Sequence, residues 1–337
     1  MYRDQFISLF FILLVTIFCI EQIYSNNNGL LIVTTFPNLV NDLEGLICDS
    51  DRVVSIVPFG IDPHDYSLKP GDIEFISNSD LVILTGHVDF ELKIERFYEN
   101  RKESSQLINL IEIPGLNIKL NPVTSGLNYH MPIYDPINYV LFIKYVVNRL
   151  ELLNPRCKDV YREKSYLIID KVLDIYFKTP RLNKTALVDY PYVQYAIEWI
   201  GFRIINILIK EHGLEITPDL SYIERIIYSK EVDYIVVTEP IVSEYSIWLY
   251  RKAVENNIPV LKVYSPYSNN SFVEKLMYLY SQLVELTNQS VVLEKQSFRN
   301  ISLSNNYKNV LEQHTFVIGL IVFVLTIYIV VKRDILG

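Results

Sequence analysis

Three of the five histidines in this 337-residue chain map to loops beyond strand-like runs, on one edge of one lobe. His64 comes six residues after VVSIVP, His87 two residues after LVILT, and His130 falls in the loop that follows LINLIEI. In open α/β sheets ligands bind beyond the carboxyl ends of the strands, where loops diverge and helix N-termini point. Three imidazoles on one such edge can converge on a cation. Neutral imidazole is the commonest ligand of zinc and other late first-row metals, and three nitrogens plus one oxygen close a tetrahedral shell. For any one of the three, a loop histidine with a hydrogen-bonded ring is the alternative. Glu239 directly follows the apolar run YIVVT and is the best carboxylate for the fourth position, since burying it without a partner is costly. A lobe-stabilising hydrogen bond to backbone or to the long helix is its other reading. His212, in IKEHGLEI, reads as a solvated loop residue, and His314 as an interfacial one.

Local signatures of catalysis are missing. The chain has no G-x-S-x-G, P-loop, G-x-G-x-x-G, H-E-x-x-H or C-x-x-C, and the expectation is a protein that is not an enzyme. A formal charge of −8 and a pI near 5.3 argue against nucleic acid as a partner, because phosphate tracking needs clustered Lys and Arg.

The elements that must position these residues are legible as an alternation. Strand candidates at 30–35, 53–58, 81–85 and 107–113 are separated by segments able to hold helices, and a second block repeats the pattern with TALVD, FRIINILI, YIVVT and VLKVY. Pro70 and Asp72 suit a first helical turn, with Ile73, Phe75 and Ile76 as its inward face. Between the blocks, more than forty residues carry apolar side chains at helical spacing, and Pro155 should break them into two helices. The fold class is α/β: an N-terminal lobe over 29–136, linking helices over 137–182, and a C-terminal lobe over 183–287.

Both ends read as membrane-seeking. An apolar run from Phe6 to Ile20 behind Arg3 is a signal peptide over 1–25, with cleavage after Ser25; an uncleaved anchor is the alternative. Cys19 sits behind bulky Phe18, where lipid attachment calls for a small residue, which argues against a lipoprotein. Residues 288–313 are polar and rich in Asn and Ser and read as a stalk. An uncharged helix over 314–331, followed at once by Lys332 and Arg333, reads as a single transmembrane span. The positive-inside rule then puts the C-terminus in the cytoplasm and the bulk of the chain outside the cell membrane. Cys48 and Cys157 remain in the mature part, and sequence alone leaves their pairing open. Asn183, Asn269, Asn288 and Asn300 each begin an N-x-S/T sequon.

GIDPHDYSLKP followed by NSDLVILTG resembles the G-x-x-P-H-x-Y-x-x-x-P motif, helix and strand of the solute-binding proteins of zinc and manganese ABC transporters. NYHMPIYDP is similar to that family's P-H-x-W-x-x-P segment, and YPYVQYAIEWIGF to its H-x-x-x-x-Y-x-x-x-x-G pattern. The likeness covers roughly residues 29–287. It implies two β/α lobes joined by one long backbone helix, metal held in the cleft between them, and an ABC permease in the same membrane as partner. On this resemblance His64 and His130 match the first two metal ligands. Tyr190 and Ser265 stand where the family has a His or acid and an Asp; His87 is then the candidate for the missing nitrogen. The expectation is an extracellular, membrane-anchored receptor that captures a divalent metal on His64, His87, His130 and Glu239. Zn2+ is favoured over Mn2+, which prefers sites richer in oxygen. The alternative is a surface adhesion or sensory protein on a degenerate metal-binding fold.

Overall fold

Eight short strands assort into two all-parallel four-stranded sheets in the computed structural model, which describes residues 29–297 other than 62, 100–105 and 210–217. The first sheet has the order β2-β1-β3-β4, built from β1 (Leu31–Thr34), β2 (Arg52–Ser55), β3 (Leu81–Leu84) and β4 (Gln106–Asn109). The second repeats the order as β6-β5-β7-β8, from β5 (Thr185–Val188), β6 (Arg203–Ile207), β7 (Tyr234–Glu239) and β8 (Val260–Tyr264). Central strands of such sheets are covered on both faces, so they read as unbroken apolar runs. All four residues of β3 are buried accordingly. Each sheet reverses its winding at one strand pair, β1/β3 and β5/β7, and the crevice beyond such a switch point is where open α/β sheets hold ligands.

Helices α1 (Asn38–Glu44), α2 (Pro70–Asn78) and α3 (Glu91–Glu99) belong to the first lobe. Only Ile76 of the expected inward face of α2 is buried; Ile73 and Phe75 are 40% and 41% exposed. The helix docks by its last turn, where the Ser79 hydroxyl donates to the Ile76 carbonyl and meets the Tyr98 hydroxyl. The fourth strand is also shorter than its apolar run. Leu110–Glu112 turn into a 3-10 helix ahead of Pro114 and Gly115.

Between the lobes, α4 (Pro136–Leu153) and α5 (Lys158–Lys178) pack against each other and are separated at Asn154 and the 3-10 turn Pro155–Cys157. Asn154 is out of helical conformation, as a residue before proline should be. The corner is closed by Arg162, which reaches the Glu151 carboxylate at 2.7 Å. Helix α5 is about 31 Å long at 1.5 Å per residue and touches both lobes. Near its start the Tyr161 hydroxyl donates to Asp51 of the first lobe, and near its end the Tyr176 ring stacks on Trp199 of the second.

The second lobe adds α6 (Val193–Ile197), α7 (Leu220–Tyr228), α8 (Glu244–Glu255) and α9 (Phe272–Ser297). Its core joins Leu187, Ile235 and Val237 of the sheet to Ile223, Ile227 and Leu249 of the helices. Helix α9 runs on to Ser297, into the segment that composition assigns to a stalk. The leader at 1–25, the span at 314–331, His212 and His314 lie outside the described residues. Among the described residues no helix is long and apolar enough to cross a membrane.

Cys48 and Cys157 form a disulfide across a separation of 109 residues. It ties the end of α1 to the corner between α4 and α5. Closing so long a loop restricts the unfolded chain, and opening it is expected to lower stability by about 2–4 kcal/mol. Urea denaturation with and without reductant checks this, and coincident midpoints would refute it.

Candidate metal centre

The three histidines come together from three different loops. His64 lies in a 3-10 turn, Pro63–Asp65, beyond β2. The next residue but one, Tyr66, pins that turn: its hydroxyl donates to Asp72 at the start of α2, and its ring meets Phe90 edge-on at 5.6 Å. His87 follows Gly86, which has φ +83° and whose missing Cβ would lie 2.0 Å from the Asn109 amide oxygen. Only glycine fits there, so the loop after β3 turns at once and places His87 at the sheet edge.

Glu91, 1% exposed, organises that loop. Its carboxylate accepts the backbone N–H groups of Thr85 (2.8 Å), Gly86 (2.7 Å) and His87 (3.2 Å), and the hydroxyls of Thr35 and Thr85. A buried carboxylate surrounded by donors is both satisfied and rigid, and here it fixes three consecutive residues ending at His87.

His130 is held by Asn128. The Asn128 Nδ2 donates to the Pro191 carbonyl and to Gln194, so its Oδ1 is the atom turned toward His130. That oxygen accepts the His130 backbone N–H at 3.1 Å and lies 3.2 Å from Nδ1. With Nδ1 carrying the proton, Nε2 keeps its lone pair, the arrangement that orients metal-binding imidazoles. Met131, the next residue, is left-handed at φ 49°, which reverses the chain into the turn leading to α4. Through Pro191, Gln194 and the Tyr195 hydroxyl, which donates to the Asn128 carbonyl, the His130 loop rests on the second lobe.

The ring centroids of His64 and His87 are 5.3 Å apart, those of His87 and His130 5.2 Å, and those of His64 and His130 6.0 Å. All three residues are half-buried, and each offers a ring nitrogen such that these atoms lie within 4.8 Å of one another. Glu239 is not among them. It ends β7 and its Oε2 lies 2.8 Å from Lys262 Nζ on the neighbouring strand β8. The carboxylate raises the pKa of that lysine. That partner is on the neighbouring strand, neither backbone nor the long helix.

On the facing lobe, Tyr190 stacks on Tyr192 at 5.6 Å with an interplanar angle of 12°, and Ser265 is buried just beyond β8. Behind them Asp189 is fully buried and accepts from the Thr238 backbone and hydroxyl and from the Ser246 hydroxyl. Burial pushes its carboxyl up to about 6 despite these bonds. Neither Glu91 nor Asn128 is singled out by sequence; the one available signal was an acid opening a helix four residues after His87.

The family of the zinc-uptake complex component A, periplasmic (ZnuA), matches residues 32–285, which hold all of both sheets but Leu31 and all three histidines. The chain belongs to the ZnuA family. Proteins of this family are solute-binding metal carriers that work with an ABC permease, not enzymes. The chain is 25% identical over 221 residues to the manganese-binding lipoprotein MntA of Halalkalibacterium halodurans, covering 62% of this chain and 70% of that one. Its fold is shared with FpvC of Pseudomonas aeruginosa, solved with Mn2+ (TM-score 0.62, 18% identity, 78% of this chain and 99% of that one). It is likewise shared with a Cd-bound periplasmic metal-binding protein of Candidatus Liberibacter asiaticus (TM-score 0.59, 17% identity, 77% and 99%).

Proposed function

We propose that this ZnuA-family protein captures Zn2+, ahead of Mn2+, on His64, His87 and His130 outside the cell and delivers it to an ABC permease. The convergence of three imidazoles within 4.8 Å carries the reading. Zinc bound to nitrogen at 2.0–2.1 Å in a tetrahedral shell sets neighbouring nitrogens about 3.4 Å apart, so side-chain rotation of about an ångström closes the group. An all-nitrogen set favours zinc, since manganese prefers oxygen. The Cys48–Cys157 disulfide fits an exported chain, as such bonds persist in oxidising compartments. In this reading the apolar segment at 314–331 tethers the receptor beside its transporter with the bulk of the chain outside, which raises its effective concentration there.

Calorimetric titration of the detergent-solubilised full chain with Zn2+ and with Mn2+ tests this. One Zn2+ per chain is expected, bound more tightly than Mn2+. No binding of either ion at neutral pH would overturn the proposal and leave a non-transport surface protein, the reading that Tyr190 and Ser265, standing at expected ligand positions, would then favour.

A further inference from the structure

A cavity of about 420 Å³ opens between the lobes, lined by Gly60 of the first and by Tyr190, Val242, Ser243, Ser265 and Tyr267 of the second, among others. Ring contacts through Phe36 link it to the three-histidine group. Gly60 lies four residues before His64, and the Tyr267 ring sits 6.2 Å from Phe36, whose ring is 5.8 Å from His87. Its volume falls in the range of about 300–1,000 Å³ typical of pockets for small organic molecules. A bare ion with one water needs roughly a tenth of that, given about 30 Å³ per water.

The lining chemistry is as informative as the size. Among the described residues no charged side chain lines the cavity. Of the described acids next to its lining residues, Asp189 is engaged by Thr238 and Ser246, Glu239 by Lys262, and Glu244 is exposed in the first turn of α8. A divalent ion on three neutral imidazoles therefore keeps its full double charge in a cleft whose facing wall, among the described residues, offers no anion. Neutral hydroxyls and aromatic rings take the place of carboxylates. The Ser265 Oγ accepts the Tyr267 N–H, and among the described residues its own hydrogen has no acceptor. Ser243 starts α8, a helix of 12 residues, yet its hydroxyl does not cap it. These are donors suited to an anion supplied with the metal.

We propose that the cavity receives a small carboxylate chelator, an amino- or hydroxy-carboxylate, whose oxygens complete the coordination shell of the histidine-bound metal and neutralise its charge. The proposal rests on the metal reading above. The chelator's carboxylates meet the metal on one side and the hydroxyls of Ser243 and Ser265 on the other, while Tyr190, Tyr267 and Val242 cover its carbon skeleton.

Thermodynamic linkage separates this from ordinary competition. The detergent-solubilised full chain is titrated with Zn2+ at fixed free concentrations, in the presence and absence of citrate or L-histidine. A chelator that only sequesters zinc leaves the affinity, expressed in free Zn2+, unchanged. One that enters with the metal raises it, by about tenfold when present at ten times its own dissociation constant. We expect such a rise with at least one of the two chelators, and a ternary mass in native mass spectrometry. Ser243→Trp, which fills the cavity, should abolish the rise while keeping the affinity for Zn2+ alone. Affinity for free Zn2+ that neither chelator moves would overturn the cavity proposal and leave the metal reading standing. Absence of zinc binding with and without chelator would overturn both.

Discussion

Replacing His87 by alanine is expected to weaken Zn2+ binding by roughly 10²–10³-fold, as much as His64→Ala or His130→Ala. The magnitude follows from sharing about 10–16 kcal/mol of zinc-binding free energy among four ligands, hence about 2.5–4 kcal/mol for each, at 1.4 kcal/mol per tenfold. His87 is the informative member of the set. By the resemblance of the sequence, His64 and His130 match the first two ligand positions of the solute-binding proteins, whereas His87 stands where that family more often has an apolar residue. Its case rests on geometry alone: ring centroids 5.3 and 5.2 Å from its two partners, and a loop fixed by Gly86 and Glu91. Since each imidazole must be neutral to ligate, protons compete with the metal and binding weakens in acid. Calorimetry of the three single variants at neutral pH decides. If His87→Ala binds like the wild type while the other two fail, His87 is a neighbour of the site and not a ligand. If all three retain full affinity, the metal lies elsewhere.

What the sequence made legible here is what short-range chemistry determines. Runs such as LVIL and YIVVT are strands because their residues are β-branched or aliphatic and both faces are covered, and the structure places strands at each. His64, His87 and His130 could be assigned to one sheet edge from their position after such runs. The residues that hold them could not. Glu91 is one of 39 acids, and its value lies in the donors that a buried loop wraps around it. Glu239 shows a different limit. At a strand end it looks like an orphan in need of a cation, but the register that sets Glu239 beside Tyr264 brings Lys262, two residues earlier, within reach. The Cys48–Cys157 bond depends on where α5 begins relative to α1, a tertiary fact 109 residues wide.

Converting Lys275 to methionine is expected to destabilise the protein at neutral pH, because it removes the buried positive charge that draws the Asp42 carboxyl toward its ionised form. Lys275, on α9, and Asp42, on α1, are 5% and 4% exposed. Asp42 accepts the Tyr139 hydroxyl of α4 and the Phe272 N–H at the start of α9, both at 2.8 Å, and the Tyr139 and Phe272 rings stack at 4.1 Å. One carboxylate thus ties the first lobe to the linking helix and to the last helix of the second. Burial pushes Asp42 up to about 6 and Lys275 down to about 8, so both are charged between those values. The sign of the pH dependence follows for each group. Asp42 holds its proton more tightly in the native state, so its contribution is full below its unfolded pKa of 3.8 and is lost as pH rises through about 6. Lys275 is the mirror case, with a contribution full above 10.5 and lost as pH falls through about 8. Asp189 titrates in the same direction as Asp42, which makes the alkaline limb the diagnostic one. Urea denaturation should show stability rising from pH 7.5 to 9 in the wild type and level in Lys275→Met. The double variant Asp42→Asn, Lys275→Met should lose less than the sum of the single changes, because neither charge is then left buried alone. Strict additivity, or an unchanged alkaline limb in Lys275→Met, would mean that the two charges do not act as a pair and that the lobes are joined here by the Tyr139–Phe272 packing alone.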